Sequence, residues 1–252
     1  DAGGDYRGKL SVEQIFYQID YLINKRFPDG VIDTNYLKIQ FARMGEPSFN
    51  NNVLDILEQL PSKYNLPKFI PSVSTIAPHG TDMFFGKLND IKDKHYSDGF
   101  QLQFSLHSTD DKYRNYLMPV KKWSLKKIAD YGNRFFNEGN RKITLNFALT
   151  TESIVDPQIL LKYFNPENFL IKITPVNPTF SAKASSIKSL VESENSNCRI
   201  ADELKEAGYD VIMSIGELEE NKIGSNCGQY VQSLREKRKL SEDSYTYPLK
   251  TV

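Results

Sequence analysis

The stretch Gln101-Leu102-Gln103-Phe104-Ser105-Leu106-His107 alternates along its whole length. Leu102, Phe104 and Leu106 fall on one side of an extended chain, and Gln101, Gln103, Ser105 and His107 fall on the other. A period of two is the mark of a β-strand. The same reading applies on either side of it. Leu37, Ile39 and Phe41 alternate with Lys38 and Gln40, and Ile143, Leu145, Phe147 and Leu149 oppose Thr144 and Asn146. Phe169, Ile171 and Ile173 oppose Lys172 and Thr174, and further strands are expected at residues 69–74 and 209–214.

Helical patterns separate these runs. Ser11-Val12-Glu13-Gln14 reads as a capping box, after which Ile15, Phe16, Ile19, Leu22 and Ile23 keep helical spacing. Further helices are expected near residues 53–60, 125–136 and 200–207. Strands alternating with helices predict repeated βα units and a parallel sheet. Parallel strands covered on both faces read as continuous apolar runs, whereas here one face is polar. The pattern therefore predicts an α/β fold of partial (β/α)6 type, an open barrel with its helices on the convex side. Gln40, Gln103, Ser105, Asn146, Lys172 and Thr174 are expected on the concave side. Residues 1–252 read as one domain, with the Ser- and Lys-rich residues 180–197 expected to be mobile.

Composition narrows the function classes. Lys+Arg and Asp+Glu are both 32, so net charge gives no long-range pull toward nucleic acid, although a local patch would serve. No apolar run approaches the roughly 20 residues needed to span a bilayer, and the first residues do not read as a leader. The two cysteines, Cys198 and Cys227, suit a reducing, cytoplasmic setting better than a structural disulfide. Three histidines, His79, His95 and His107, have the spacing of neither a zinc site nor a catalytic triad, and no metal ligand set is read in this chain.

Small polar signatures follow the apolar runs: Met44-Gly45-Glu46-Pro47, Ser72-Val73-Ser74, Ser105-Leu106-His107, Asn177-Pro178 and Ser225-Asn226-Cys227-Gly228-Gln229-Tyr230. Ligands of parallel β/α folds bind at the carboxyl ends of the strands, so five signatures there predict one site. Each has an ordinary reading too. Gly45-Glu46-Pro47 is also a tight turn, His107 a structural imidazole, Asn177-Pro178 a turn signal and Cys227 an unreactive loop thiol. The basic run Arg235–Lys239 reads as a solvated helix face, with an RNA phosphate contact as the alternative.

Taken in order, these signatures resemble the radical S-adenosylmethionine adenine-C2 methyltransferases of ribosomal RNA, the RlmN/Cfr type. The Met-Gly-Glu-Pro, Ser-Leu-His, Asn-Pro and Cys-Gly-Gln motifs of that family fall at Met44–Pro47, Ser105–His107, Asn177-Pro178 and Cys227–Gln229. The resemblance implies a radical S-adenosylmethionine partial barrel, a [4Fe–4S] cluster in the intact parent, an RNA substrate (rRNA or tRNA) and an external electron donor. It further implies contacts to S-adenosylmethionine from Gly45, Glu46, Ser72, Ser105, Leu106, His107 and Asn177. Cys227 would be the catalytic, methyl-carrying cysteine.

The same resemblance exposes departures. The family draws its cluster from a Cys-x3-Cys-x2-Cys loop, and this chain has no cysteine before Cys198. The segment is expected to begin just past that loop and to be inactive by itself. Arg43 stands where the family motif has Gly, Lys222 where an acidic residue is usual, and Ser225-Asn226 where the family has Ala-Ala. Two alternatives stay open: an enzyme of this architecture with a non-RNA substrate, and a non-catalytic module that binds S-adenosylmethionine or a nucleotide.

Overall fold

The computed structural model describes residues 8–43, 45–64, 69–97, 99–191 and 199–216. In chain order the elements are α1 (Val12–Arg26), β1 (Leu37–Phe41), a 3-10 turn (Pro47–Phe49), α2 (Asn52–Lys63), β2 (Phe69–Thr75), α3 (Asp82–His95) and β3 (Gln101–Ser105). They continue with α4 (Asp111–Leu117), α5 (Leu125–Phe135), β4 (Ile143–Ala148), α6 (Pro157–Tyr163), β5 (Phe169–Thr174), α7 (Phe180–Ala184), α8 (Arg199–Glu206) and β6 (Val211–Met213).

The capping box forms as expected. Gln14 N–H donates to the Ser11 hydroxyl at 3.2 Å, and the Ser11 amide donates to Gln14 Oε1 at 2.9 Å. The six strands form a single parallel sheet in the order β1-β2-β3-β4-β5-β6. This is the open partial barrel that the alternation predicted. Register sorts its two faces. Thr75, Phe104, Leu145, Ile171 and Val211 are aligned across five strands, as are Ser105, Asn146, Lys172 and Ile212 across four. The first row belongs to the face packed by helices, where Phe104, Leu145 and Ile171 have no solvent exposure. The second row belongs to the opposite, polar face. All six positions expected there share it by strand parity.

Buried tyrosines tie the helical layer down. Tyr96, Tyr131 and Tyr209 donate their hydroxyls to the carbonyls of Leu57, Phe85 and Phe164. Each bond satisfies the one polar atom of an otherwise apolar, buried ring.

Two local expectations change. The strand read as residues 101–107 ends at Ser105, because His107 turns into left-handed backbone at φ 62°. Residues 180–191, expected to be mobile, are structured: Thr179 caps α7, Thr150 bridges to Ser189, and Val191 is fully buried. The Ser/Lys composition of that stretch concealed one helical turn and one apolar anchor.

Candidate functional site

Every expected contact residue within the described part lies on one edge of the sheet except Ser72. Gly45 and Glu46 follow β1, Ser105 ends β3, Leu106 and His107 follow it, and Asn177 follows β5. Ser72 sits deeper, in mid-strand, between Gln40 and Gln101, and is 4% exposed. Ser74, two residues nearer the carboxyl edge on the same face and more exposed, is the better-placed hydroxyl of that strand. Cys227, Cys198, Met44 and the basic run 235–239 lie outside the described residues.

The turn after β1 is shaped by two left-handed residues, Arg43 at φ 75° and Gly45 at φ 74°. Glycine adopts that conformation freely, whereas arginine pays roughly 1 kcal/mol for it. Glu46 then fastens the turn to the end of β2. Its Oε1 accepts from the Ser48 amide (3.1 Å), the Ser48 hydroxyl (2.7 Å) and the Thr75 hydroxyl (2.5 Å). Its Oε2 accepts from the Ile76 amide at 3.0 Å. Thr75 was not among the residues read as functional, because a hydroxyl on the apolar face of a strand carries no signal until its partner is known.

The Ser-Leu-His segment divides its tasks. The Leu106 side chain is wholly buried in the core, and its amide donates to the Asn146 carbonyl at 2.9 Å, leaving only main chain for a ligand. The His107 amide shares that carbonyl at 3.3 Å. His107 Nδ1 accepts from the Ala148 amide at 2.9 Å, so the ring proton resides on Nε2. Burial, assisted by the Arg114 charge, depresses the His107 pKa from 6.5 to about 4. At neutral pH His107 is an uncharged ring with one N–H donor. The expectation that its imidazole lies on the polar face of the strand is replaced by a ring held across the end of β4.

Asn146 was read only as a polar-face position. It is 8% exposed, and its Oδ1 is buried without a hydrogen-bond partner. A buried orphan acceptor is costly and asks for an N–H donor from outside. Arg114 is a second residue that sequence reading missed. It is 2% exposed, and Nη1 donates to the Trp123 carbonyl at 2.8 Å while Nε and Nη2 have no partner.

The architecture is an open six-stranded parallel sheet with a polar inner face and signature-bearing loops at its carboxyl edge, as the resemblance to radical S-adenosylmethionine enzymes implies. The comparisons agree. A crystal structure of a radical SAM methyltransferase from Sphaerobacter thermophilus superimposes with a TM-score of 0.62, covering 87% of this chain and 61% of that one at 21% identity. A probable dual-specificity RNA methyltransferase RlmN from Flavobacterium psychrophilum is 26% identical over 195 residues, 73% of this chain and 54% of that protein. The dual-specificity RNA methyltransferase RlmN of Pseudomonas fluorescens is 24% identical over 250 residues, 94% of this chain and 60% of its own length. No family model matches the chain. The chain is similar, as a divergent relative, to RlmN-type radical S-adenosylmethionine methyltransferases, and it spans little more than half the length of these relatives.

Two groups are implied by that likeness, and they fit this chain differently. A [4Fe–4S] cluster is held by cysteine thiolates. The chain has two cysteines, and no cluster of three or more His, Cys, Asp or Glu side chains that could hold a metal occurs among the described residues. These residues do not fit a cluster. S-adenosylmethionine is chemically compatible with the carboxyl edge, which offers a carboxylate, an uncharged N–H donor, a hydroxyl and the orphan acceptor of Asn146. Among the described residues no helix is long and apolar enough to cross a membrane.

Proposed function

We propose that this chain is the S-adenosylmethionine-binding barrel of an RlmN-like radical methyltransferase that acts at C2 of an RNA adenine. The observation that carries the reading is the collection of residues from three separate motifs, Glu46, Ser105 with His107, and Asn177, on one edge of a parallel sheet. Gly45 lets the backbone approach the ligand. Glu46, held in place by its four hydrogen bonds, sets a negative charge near an ammonium group. His107 Nε2–H donates and the Ser105 hydroxyl donates or accepts at fixed positions, and Ser74 in place of Ser72, the Leu106 main chain and Asn177 complete the contact set.

S-adenosylmethionine supplies an electrophilic methyl group on its sulfonium. Cys227 is the acceptor in this reading. Its thiolate forms the S–C bond as the sulfonium C–S bond breaks, and S-adenosylhomocysteine leaves. The later hydrogen abstraction needs a cluster and an external electron donor. Two cysteines do not hold that cluster, so the chain by itself stops at binding and displacement. The reading takes an RNA substrate, rRNA or tRNA, and a cytoplasmic setting.

Saturation-transfer NMR with S-adenosylmethionine tests the reading. The adenine ring protons should receive magnetisation from the wild-type chain, and His107→Ala and Asn177→Ala should reduce it. Absence of transfer from the wild type, or transfer in both variants equal to that of the wild type, would remove the edge site.

A second reading, the same architecture with a non-RNA substrate, is favoured by Arg43. A cation is retained at φ 75° where the family motif has glycine. Preferential binding of a small phosphorylated compound over an oligoribonucleotide would support it.

A further inference from the structure

Below the carboxyl edge, on the same polar face, lies a cavity of about 230 Å3 lined in part by Gln101, Arg141, Lys142, Thr144, Lys172 and Ser214. It is set toward the amino-terminal halves of β3, β4 and β5. Thr144 is the second residue of β4, and Arg141 and Lys142 precede that strand. Among the described residues no carboxylate lines it. Lys142 is already committed to Asp210 at 2.7 Å. Lys172 and Arg141 have no carboxylate partner among the described residues, and neither has Lys38, across the sheet on β1.

These charges feel one another. The Lys172 pKa is lowered, first by burial and then by the positive charge of Arg43. Lys38 is lowered by burial and by the charges of Arg141 and Lys172. Lys38, Arg141 and Lys172, like charges on one face with no acid lining the cavity among the described residues, repel one another, and a bound anion reverses that repulsion. Size narrows the ligand. The cavity is smaller than the roughly 300–1,000 Å3 of sites that enclose a whole drug-sized molecule, but it has room for a phosphate group with its waters. Arginine and lysine are the usual partners of that group.

We propose that this cavity binds the phosphate group of an anionic ligand, with Lys172 and Arg141 as its charged contacts and Gln101, Thr144 and Ser214 as its neutral ones. Lys38 raises the positive potential around it. The cluster belongs to the sheet face itself and does not depend on S-adenosylmethionine occupying the carboxyl edge.

The test is titration of the full chain at constant ionic strength, followed by calorimetry and by the 31P linewidth of the probe. The probes are inorganic phosphate, AMP and an oligoribonucleotide without a terminal phosphate. Phosphate and AMP should bind the wild type. Lys172→Met and Arg141→Gln should each weaken binding on the order of tenfold, the loss of one charge-assisted contact, and Lys172→Arg should keep it. Arg141 is exposed ahead of β4, so its variant remains informative if the Met variant fails to fold. Tighter binding of the oligoribonucleotide than of AMP assigns the site to an RNA backbone, and the reverse assigns it to a small phosphate ester; either upholds the site. Phosphate binding unchanged in Lys172→Met and Arg141→Gln, or undetectable binding of all three probes to the wild type, overturns it.

Discussion

The main-chain amide of Ala148 donates to Nδ1 of His107 at 2.9 Å, pinning an imidazole from one strand end across the next. The bond exists only while Nδ1 is unprotonated. Burial and the Arg114 charge act in the same direction, holding the His107 pKa at about 4 instead of 6.5. In the unfolded chain the ring takes up its proton near 6.5, so the unfolded state binds more protons between the two values. Stability is therefore full above about 6.5 and falls as the pH drops toward 4. At about 1.4 kcal/mol for each pH unit the ceiling on this contribution is about 3 kcal/mol. Urea titrations across that window should show the loss, and His107→Gln should flatten it. NMR titration of the ring should also show Arg114→Met raising its pKa part of the way, because burial remains. A His107 midpoint near 6.5 in the folded protein would contradict the geometry.

Glu46→Gln separates a carboxylate from its near-isostere. Both oxygens accept from protein donors, Oε1 from Ser48 and Thr75 and Oε2 from the Ile76 amide. An amide must turn an NH2 group toward one of these donors. The expected cost is about 1–3 kcal/mol, read as a lower urea midpoint at unchanged slope. Hydrogen exchange at the Ile76 amide should accelerate more than exchange in α5, which shares no bond with Glu46. Uniform acceleration across the sheet would show that Glu46 is not the local tie.

Much of this arrangement was legible beforehand, for reasons visible in particular residues. Leu102, Phe104 and Leu106 had to be buried together, as did Ile143, Leu145 and Phe147, and strand parity then fixed where Gln103, Ser105 and Asn146 point. That one constraint yielded both the fold and the polar face. What stayed hidden depends on contacts between distant residues. Thr75 is ordinary until Glu46 reaches it across 29 positions. Arg114 reads as a helix-surface cation until α4 packs it against Trp123. His107 was read as strand because alternation continues through it, and only the backbone shows the left-handed turn. Charge balance for the whole chain also masked the cations on one face, since 32 acids and 32 bases say nothing about where each lies.

Lys92 is the clearest buried cation of the helical layer. It is 1% exposed, donates to the Phe135 carbonyl at 2.8 Å and pairs with Asp93. Phe135 ends α5, so the bond satisfies a helix-terminal carbonyl and places positive charge at the negative end of the dipole. Burial tends to raise the Asp93 pKa, but hydrogen bonds from Lys92, Asn137 and Asn89 and the Lys92 charge together hold it below the ordinary value. Lys92→Met should fill the space, cost about 1–3 kcal/mol through the orphaned carbonyl, and raise the Asp93 pKa. Asp93 stays ionised in the fold to lower pH than in the unfolded chain, so its stabilisation is present above the ordinary carboxylate value and lost in acid. The variant should therefore lose less stability on acidification than the wild type. Equal acid sensitivity would show that Lys92 does not govern Asp93.

Gly132, on α5, lies against Phe169 at the start of β5. A Cβ built on it would stand 2.6 Å from two atoms of the Phe169 ring. Two effects oppose each other in Gly132→Ala. Alanine favours the helix by about 1 kcal/mol, whereas overpacking a filled core costs about 1–3 kcal/mol. The ring decides the sign. Phe169 is fully buried and meets Phe164 edge-on at 5.0 Å between centroids, so it has little room to swing away. The substitution should destabilise, lowering Tm by a few degrees at about 2–4 °C per kcal/mol for a chain of this size. A double-mutant cycle isolates the cause. Phe169→Leu alone should destabilise, but in its presence Gly132→Ala should become neutral or stabilising, since only the helix-propensity gain remains. If Gly132→Ala costs the same in both backgrounds, the close approach of α5 to the Phe169 ring is not what the glycine provides.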